Sequence, residues 1–500
     1  MLLLNKIEEF ARQKPTQIAI HSQSGCMTYH ELNAGSDKLA SWIKENLGSD
    51  KRPIVIYGHK NPYMIMCFLA CVKSGRAYCP IDISVPETRR NDIISAINPL
   101  VIFTTESLSS NDDRLIDIAK IYEIISNQSV TISHQDYVKP TDIFYILFTS
   151  GSTGNPKGVQ ITASNLSNFL NWCSSLGEFE KPGETQVWMN QAPFSFDLSV
   201  MDLYTCLFTG GSLWTLNKET QGNIGVLFES FAVSAICNWV STPSFAELCL
   251  ADPYFNEKLL PSLETFLFCG ETLPNSTAAK LMDRFTNAKV INTYGPTEST
   301  VAVTSVLITE ELTGDSSPLP VGTAKPGTTI EIHDENNQPL PDGKKGEIVI
   351  IGDTVSKGYF NDQERTDKAF FKSPEQSYKT GDEGYLLDGM LYYSGRIDLQ
   401  IKLHGYRIEL EDIENNLLKI NEIQSVAVLP KYKNNKIASL TAFVVNDDET
   451  KRTFSDGKNI KTQLKAFLPE YMIPKRIIFL DSLPVTANGK VDRAKLREVV

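Results

Sequence analysis

Three glycines (Gly151, Gly154, Gly158), three hydroxyls (Ser150, Ser152, Thr153) and Lys157 crowd into the stretch Ser150–Gly158. Such a loop can turn backbone N–H groups and hydroxyls onto phosphate oxygens, with the lysine as a mobile counter-charge. The spacing is not that of a P-loop. Gly151 and Gly154 stand too close together, and Gly158 follows Lys157 where a Mg²⁺-binding Ser or Thr belongs. A flexible turn after a strand is the alternative reading.

Four further stretches could contribute chemistry. Asn292–Glu298 (NTYGPTE) packs an aromatic, a Gly-Pro turn, a hydroxyl and a carboxylate together. Tyr294 could cover a base, Thr297 could reach a phosphate, and Glu298 could hold Mg²⁺ bridging phosphate oxygens. An ordinary strand-to-loop turn is the alternative. Tyr378–Asp382 (YKTGD) sets a carboxylate beyond a glycine turn, able to accept both hydroxyls of a ribose or to be a solvated turn aspartate. Ser394–Glu409 (SGRIDLQIKLHGYRIE) mixes both signs of charge around alternating Ile and Leu, and reads otherwise as a charged linker. Ala487–Arg493 (ANGKVDR) presents Lys490 beside an Asn-Gly turn, as would a simple hairpin tip.

Something must position these segments, and 500 residues exceed one comfortable core, so at least two domains are expected. Through residue 292 helical patterns alternate with short apolar runs. Pro53–Tyr57, Leu100–Thr104, Ile143–Phe148, Ala235–Ser241, Thr265–Cys269 and Lys289–Asn292 read as strands. Pro62–Gly75 reads as a buried helix, and Cys79–Ile83 as a proline-marked turn. That alternation predicts a layered α/β domain with a largely parallel sheet. After about residue 318, β-rich segments separated by Gly, Pro, Asp and Asn predict a smaller antiparallel sheet or barrel. Beyond Arg396–Asp398, Leu410, Ile413, Leu417 and Ile420 share a helix face, and strands at Ser425–Leu429 and Ser439–Val445 precede a helix at Ile460–Phe467. This last part predicts a separate α+β domain.

Composition excludes some roles. Sixty acidic against 48 basic residues, a net charge of −12, argue against nucleic acid as the main partner and against general membrane affinity. The N-terminus lacks a signal-peptide core, and the longest apolar run, Tyr63–Val72, is half of the ~20 residues a membrane span needs. Nine scattered cysteines with no CxxC argue against a disulfide framework or zinc site and favour a reducing, cytoplasmic setting.

Taken together and in order, TSGSTGNPKG, NTYGPTE, KTGD, SGRIDLQIKLHGYRIE and NGKVDR resemble the core motifs of the adenylate-forming superfamily: acyl-CoA synthetases, luciferases and the adenylation domains of peptide synthetases. The resemblance runs essentially end to end. It implies a large N-terminal α/β adenylation domain, residues 1–397, built of layered α/β subdomains plus a small β-barrel-like one. It implies also a smaller mobile α+β domain, residues 398–500, hinged at Asp398.

Carried over residue by residue, Ser152, Thr153, Gly154, Asn155, Pro156 and Lys157 would hold the ATP phosphates. Asn292, Thr293, Tyr294, Gly295, Pro296 and Thr297 would hold the adenine and α-phosphate, with Glu298 as the Mg²⁺ ligand. Asp382 and Arg396 would bind the ribose, with Tyr393, Ser394 and Gly395 beside the nucleotide. Lys490 would be the catalytic lysine, touching both nucleotide and substrate in the first half-reaction and withdrawing for the second. A cation between a carboxylate and a phosphate offsets their repulsion in a sheltered site.

Asn190–Tyr204 and Phe266–Pro274 resemble the branch of the superfamily that activates D-alanine and loads it onto a D-alanyl carrier protein, opening teichoic acid D-alanylation. In that branch Asp197 would bind the substrate amine, since a buried carboxylate needs a partner. A helix N-cap is the alternative role for Asp197. Cys269, Met201 and Val301 would wall a pocket sized for a methyl group. Stereochemistry rests on the resemblance alone.

Ten residues follow Lys490, so the thiol acceptor is expected on a separate phosphopantetheinylated carrier, or as CoA. The Asp481–Leu483 triplet imitates a phosphopantetheine attachment site but lies between a strand and the lysine loop, not at the start of a helix. The rival readings are a small-carboxylate acyl-CoA synthetase, an adenylation enzyme for another small amino acid, and a nucleotide-binding module without catalysis. Asp197 speaks against the first of these, Glu298 and Lys490 against the last.

Overall fold

In this computed structural model the chain is described except for residues 1, 109–111, 151–155, 182, 315–317, 398–399, 434–435, 447–452, 485–490 and 499–500, and the side chains at 436 and 494. The chain divides into two compact units. One comprises Met1–Asp82, Ile97–Leu147 and Gly158–Gly395; the other comprises Ile83–Ala96, Phe148–Lys157 and Arg396–Val500.

Two large sheets dominate the first unit. The nine-stranded one runs, in spatial order, Thr323–Ala324, Thr304–Leu307, Lys289–Tyr294, Thr265–Phe268, Asn238–Ser241, Val187–Asn190, Ser212–Thr215, Ile18–Ser22 and Gly25–Thr28. Its centre is parallel and its two edges are antiparallel. A six-stranded sheet is ordered Leu115–Ile116, Ile102–Thr104, Ile54–Gly58, Tyr78–Asp82, Ile143–Thr149 and Lys157–Thr162, and is parallel through Ile143–Thr149. The third sheet is antiparallel, with Thr328–His333, Gly346–Gly352, Gln376–Leu387 and Phe370–Lys372 in line and Met390–Arg396 paired to Gln376–Leu387. One continuous apolar core, including Ile56, Phe144, Trp188, Val240 and Ile348, reaches all three sheets.

Local sequence explains the helices. Pro62–Lys73 begins with Asn61 capping Tyr63 N and proline in the first turn, then is apolar on nearly every face and correspondingly buried. Among the described residues no helix is long and apolar enough to cross a membrane.

Two segments differ from expectation. Cys79–Ile83 is not a turn, because Tyr78–Asp82 is a fully buried interior strand. Its pairing with Ile143–Thr149 is registered at Tyr78 against Tyr145 alone, so Pro80 faces no ladder there that needs an N–H. Nor is Asp382 a solvated turn residue. It lies inside the Gln376–Leu387 strand and is buried. Gly381, with φ 68°, sits where the register against Gly346–Gly352 slips, so the glycine makes a bulge and the strand continues.

The second unit has its own core of Ile408, Ile413, Leu417, Val428, Leu440, Ile460 and Leu464. A three-stranded sheet (Ile423–Lys433, Lys436–Asn446, Arg476–Phe479) packs with the helices Leu410–Leu417 and Phe454–Leu464, and Gln400–Leu403 pairs with Tyr406–Glu409 as a hairpin. The α/β and α+β expectations hold.

Candidate active site

Val187–Asn190, Asn238–Ser241, Thr265–Phe268 and Lys289–Tyr294 are parallel neighbours, so the segments leaving their C-terminal ends share one edge of the sheet. In such sheets ligands bind at that edge. Here it collects Asp197 after the first strand, Cys269 after the third, and Gly295–Val301 after the fourth.

Asp197 meets Thr297 there, the Thr297 Oγ1 donating to its Oδ2 at 2.6 Å across a hundred residues of sequence. Asp197 occupies the N-cap position of the Leu198–Thr209 helix, yet its side chain makes no cap hydrogen bond. The capping alternative therefore fails, and the half-buried carboxylate faces the other loops. Cys269 Sγ donates to the Val301 carbonyl at 3.5 Å. Met201, on that helix, is wholly buried in the same core as Cys269 and Val301.

The Gly295–Ala302 loop is folded tightly on itself. A Cβ on Gly295 would come within 2.6 Å of the Ala302 Cα, which explains the glycine. Thr300 (φ 62°) and Val301 (φ 70°) are both β-branched and both left-handed, a strain that surrounding structure must hold. Thr300 Oγ1 donates to Thr354 O at 2.7 Å, and Val303 N to Tyr294 O at 2.7 Å. Strain of this kind concentrates at functional sites.

Glu298 lies in the short Thr297–Ser299 turn, wholly buried, with the Tyr359 hydroxyl donating to its Oε1 at 2.8 Å. No group of three or more His, Cys, Asp or Glu able to hold a metal occurs among the described residues. A cation held here would draw on one hard carboxylate and take its other oxygens from phosphates and water, which suits Mg²⁺. Asn292 donates from Nδ2 to Pro320 O at 2.8 Å, while its Oδ1 is buried without a partner among the described residues. That acceptor fits an amino group such as adenine carries. Thr293 is engaged with Phe268 O at 2.8 Å.

Tyr294 and Asp382 form a buried pair, the hydroxyl donating to Oδ2 at 2.6 Å, with the Tyr393 ring 6.0 Å from that of Tyr294. Burial, then the Asp382 carboxylate, pushes the Tyr294 hydroxyl well above its ordinary range. Pro296 leads into the Glu298 turn, and Ser394 and Gly395 end the Met390–Arg396 strand. Pro156, Lys157 and Arg396 belong to the second unit. Ser152, Thr153, Gly154, Asn155, Asp398 and Lys490 lie outside the described residues.

Two site neighbours escape a reading of the sequence. Tyr359 reaches Glu298 across 61 positions with no spacing to announce it. Tyr145, buried on the Ile143–Thr149 strand, has a hydroxyl without a partner among the described residues; burial, then the charge of Asp197, drives it well up. Its place in an apolar run (Ile143–Phe148) is the only available signal, a lone hydroxyl among hydrocarbon.

Residues 7–360 match the AMP-binding enzyme family, and residues 412–490 match the AMP-binding enzyme C-terminal domain. The chain belongs to the AMP-binding enzyme family. Within this AMP-binding family it is similar along its whole length to proteins named D-alanine–D-alanyl carrier protein ligase. The one from Bacillus licheniformis is 44% identical, with all of both chains covered. The one from Listeria welshimeri is 45% identical, covering all of this chain and 99% of the relative. Solved structures share the AMP-binding fold at lower identity. An o-succinylbenzoate CoA synthetase from Bacillus subtilis superposes with TM-score 0.85 at 20% identity, covering 99% of this chain and 98% of that one. A Vibrio cholerae adenylation domain in complex with glycyl-adenosine-5'-phosphate gives 0.82 at 22%, covering 100% and 96%.

Proposed function

We propose that the chain is an AMP-forming ligase that activates D-alanine with ATP and passes the D-alanyl group to the phosphopantetheine thiol of a separate carrier protein. The carrying observation is Asp197, a carboxylate aimed at the strand-end edge where the family's chemistry occurs and freed from helix capping. An α-ammonium is its natural partner, and a simple fatty acid would offer it nothing. The full-length likeness to D-alanine–D-alanyl carrier protein ligases supports the choice of amino acid and of acceptor.

In the first step a D-alanine carboxylate oxygen attacks the α-phosphorus of ATP and pyrophosphate leaves. In the second the carrier's thiol sulfur attacks the acyl carbon, the thiol proton is released and AMP departs. No nucleophilic side chain is needed, so the protein's contribution is position and charge. Asp197 fixes the ammonium end, with Cys269, Met201 and Val301 walling the methyl. Asn292 to Thr297 hold the base and α-phosphate, and Asp382 and Arg396 the ribose, with Tyr393, Ser394 and Gly395 alongside. The Ser152–Lys157 loop grips the phosphates. Glu298 would hold Mg²⁺, which when bound neutralises phosphate charge. Lys490 sets its ammonium between the two anions, carried by a domain of residues 398–500 that turns about Asp398. We place the reaction in the cytoplasm, where ATP is available; all nine cysteines are free.

Amino-acid-dependent ATP–pyrophosphate exchange with D-alanine, L-alanine, glycine and acetate tests this reading. D-alanine should give the highest kcat/KM. Equal exchange with acetate would remove the amino-acid claim, and a preference for L-alanine the stereochemical one.

A further inference from the structure

Lys60 is a lysine at 2% exposure in a left-handed conformation (φ 53°), just past the Ile54–Gly58 strand. Its Nζ donates to Asn190 Oδ1, to the Ala192 carbonyl and, at 3.4 Å, to the Asn190 carbonyl. An ammonium has three N–H groups, and here it meets three oxygens. The same Nζ lies 4.8 Å from the centre of the Phe194 ring. Asn190 passes the contact on, its Nδ2 donating at 2.7 Å to Oδ1 of Asp202, itself wholly buried. Asp82, the other acid near Lys60, is already bonded to His59 at 2.6 Å, which leaves Asp202 as the principal counter-charge.

Such a cluster is costly. Burial drags the Lys60 ammonium down to about 7, against the pull of Asp202 and Asp82, and pushes the Asp202 carboxyl well up. Asp202 Oδ2 has no partner among the described residues. Hydrocarbon of similar volume would hold a core at least as well. The position of the cluster gives it a purpose. Asn190 ends the Val187–Asn190 strand and Ala192 follows it, while Asp202 stands in the Leu198–Thr209 helix. Between those anchors runs the segment that delivers Asp197 and Met201.

We propose that Lys60, with Asn190 and Asp202, is a positioning brace that clamps both ends of the 191–201 segment and so sets the Asp197 carboxylate for the substrate's ammonium. The proposal rests on the reading that Asp197 takes that ammonium. Lys60 touches no substrate. It acts through the backbone at 190 and 192 and through the helix at 202.

The test uses the full chain in the exchange assay, with thermal unfolding alongside, for Lys60→Met, Asp202→Asn, the Lys60→Met/Asp202→Asn double variant and Asp197→Asn. Each single brace variant should lose stability, because the group that remains is left buried without its partner. The double variant should regain stability yet keep a D-alanine KM raised about tenfold or more, with the ATP KM within about twofold, since a small misplacement of a binding group costs rate steeply. That split separates positioning from scaffolding. A folded double variant with a wild-type D-alanine KM, a parallel rise in the ATP KM, or a double variant that fails to fold would each overturn the brace. Asp197→Asn leaves the brace intact and must raise the D-alanine KM. An unchanged value there would sink the reading of Asp197, and the brace with it, whereas a raised value beside a normal double variant would sink the brace alone.

Discussion

Glu298 has no exposure to water, and the Tyr359 hydroxyl donates to its Oε1 at 2.8 Å. A hydrogen bond to a charged group contributes roughly 1.5–3 kcal/mol, and a buried oxygen that loses one is not rehydrated. Tyr359→Phe should therefore lower stability by about 1.5 kcal/mol or more and slow exchange at least about tenfold, most visibly at limiting Mg²⁺. Denaturant unfolding and a Mg²⁺ titration of the exchange rate read the two effects, and a Phe variant equal to wild type in both removes Tyr359 from the site. The partnership is not legible in the sequence, for nothing near Glu298 names Tyr359, 61 positions away. Asp197 was legible as a type, a carboxylate in an apolar stretch. Only the missing cap hydrogen bond and the 2.6 Å contact with Thr297 decided against its helix-capping role.

Elements turn such residues toward one another, and two of them invite direct tests. The loop after the Lys289–Tyr294 strand folds back so closely that Gly295→Ala would drive its Cβ into backbone at 2.6 Å. Overpacking of this kind costs about 1–3 kcal/mol, so the variant should melt earlier and lose most exchange activity; unaltered exchange would mean the loop's fold is irrelevant to the site. In the second unit, Arg493 donates from Nη2 to both carboxylate oxygens of Glu414, at 2.8 and 2.9 Å, and from Nη1 to Val428 O at 2.9 Å. Arg493→Met should cost about 3 kcal/mol by stranding Glu414, and Arg493→Met/Glu414→Gln should recover most of it. Chemical denaturation of both variants checks this, and equal losses would refute a buried pair. Local punctuation in the sequence is misleading at two of its elements. Pro80 and Gly381 look like turn residues, and both sit inside strands, one where the neighbouring ladder has ended and one at a bulge.

At the scale of the whole molecule, the proposed chemistry divides between two half-reactions that make different demands on Lys490. Adenylation must bring two anions together, and thioester formation need not. Lys490→Ala should cut D-alanine-dependent pyrophosphate exchange by about a thousandfold, the scale of losing one preorganised charge contact. Transfer from supplied D-alanyl-AMP to the carrier should stay within a few fold. Single-turnover measurement of each step decides it, and loss of both together would count against a lysine that serves one step and withdraws.

The sequence by itself determined the order of the motifs, the alternation that builds parallel sheets, the antiparallel texture after residue 318 and the separate α+β tail. These follow from local patterns of apolar residues, glycines and charges, which each segment carries in its own chemistry. Only the tertiary structure decided which partners those residues have. Thr297 with Asp197, Tyr359 with Glu298, Tyr294 with Asp382 and Lys60 with Asn190 join positions from 61 to 130 apart in the chain. Strand order in a sheet sets such meetings, and no local pattern contains it. The composition of Ser150–Gly158 by itself leaves a phosphate grip and a flexible turn both open, because glycines and hydroxyls suit either.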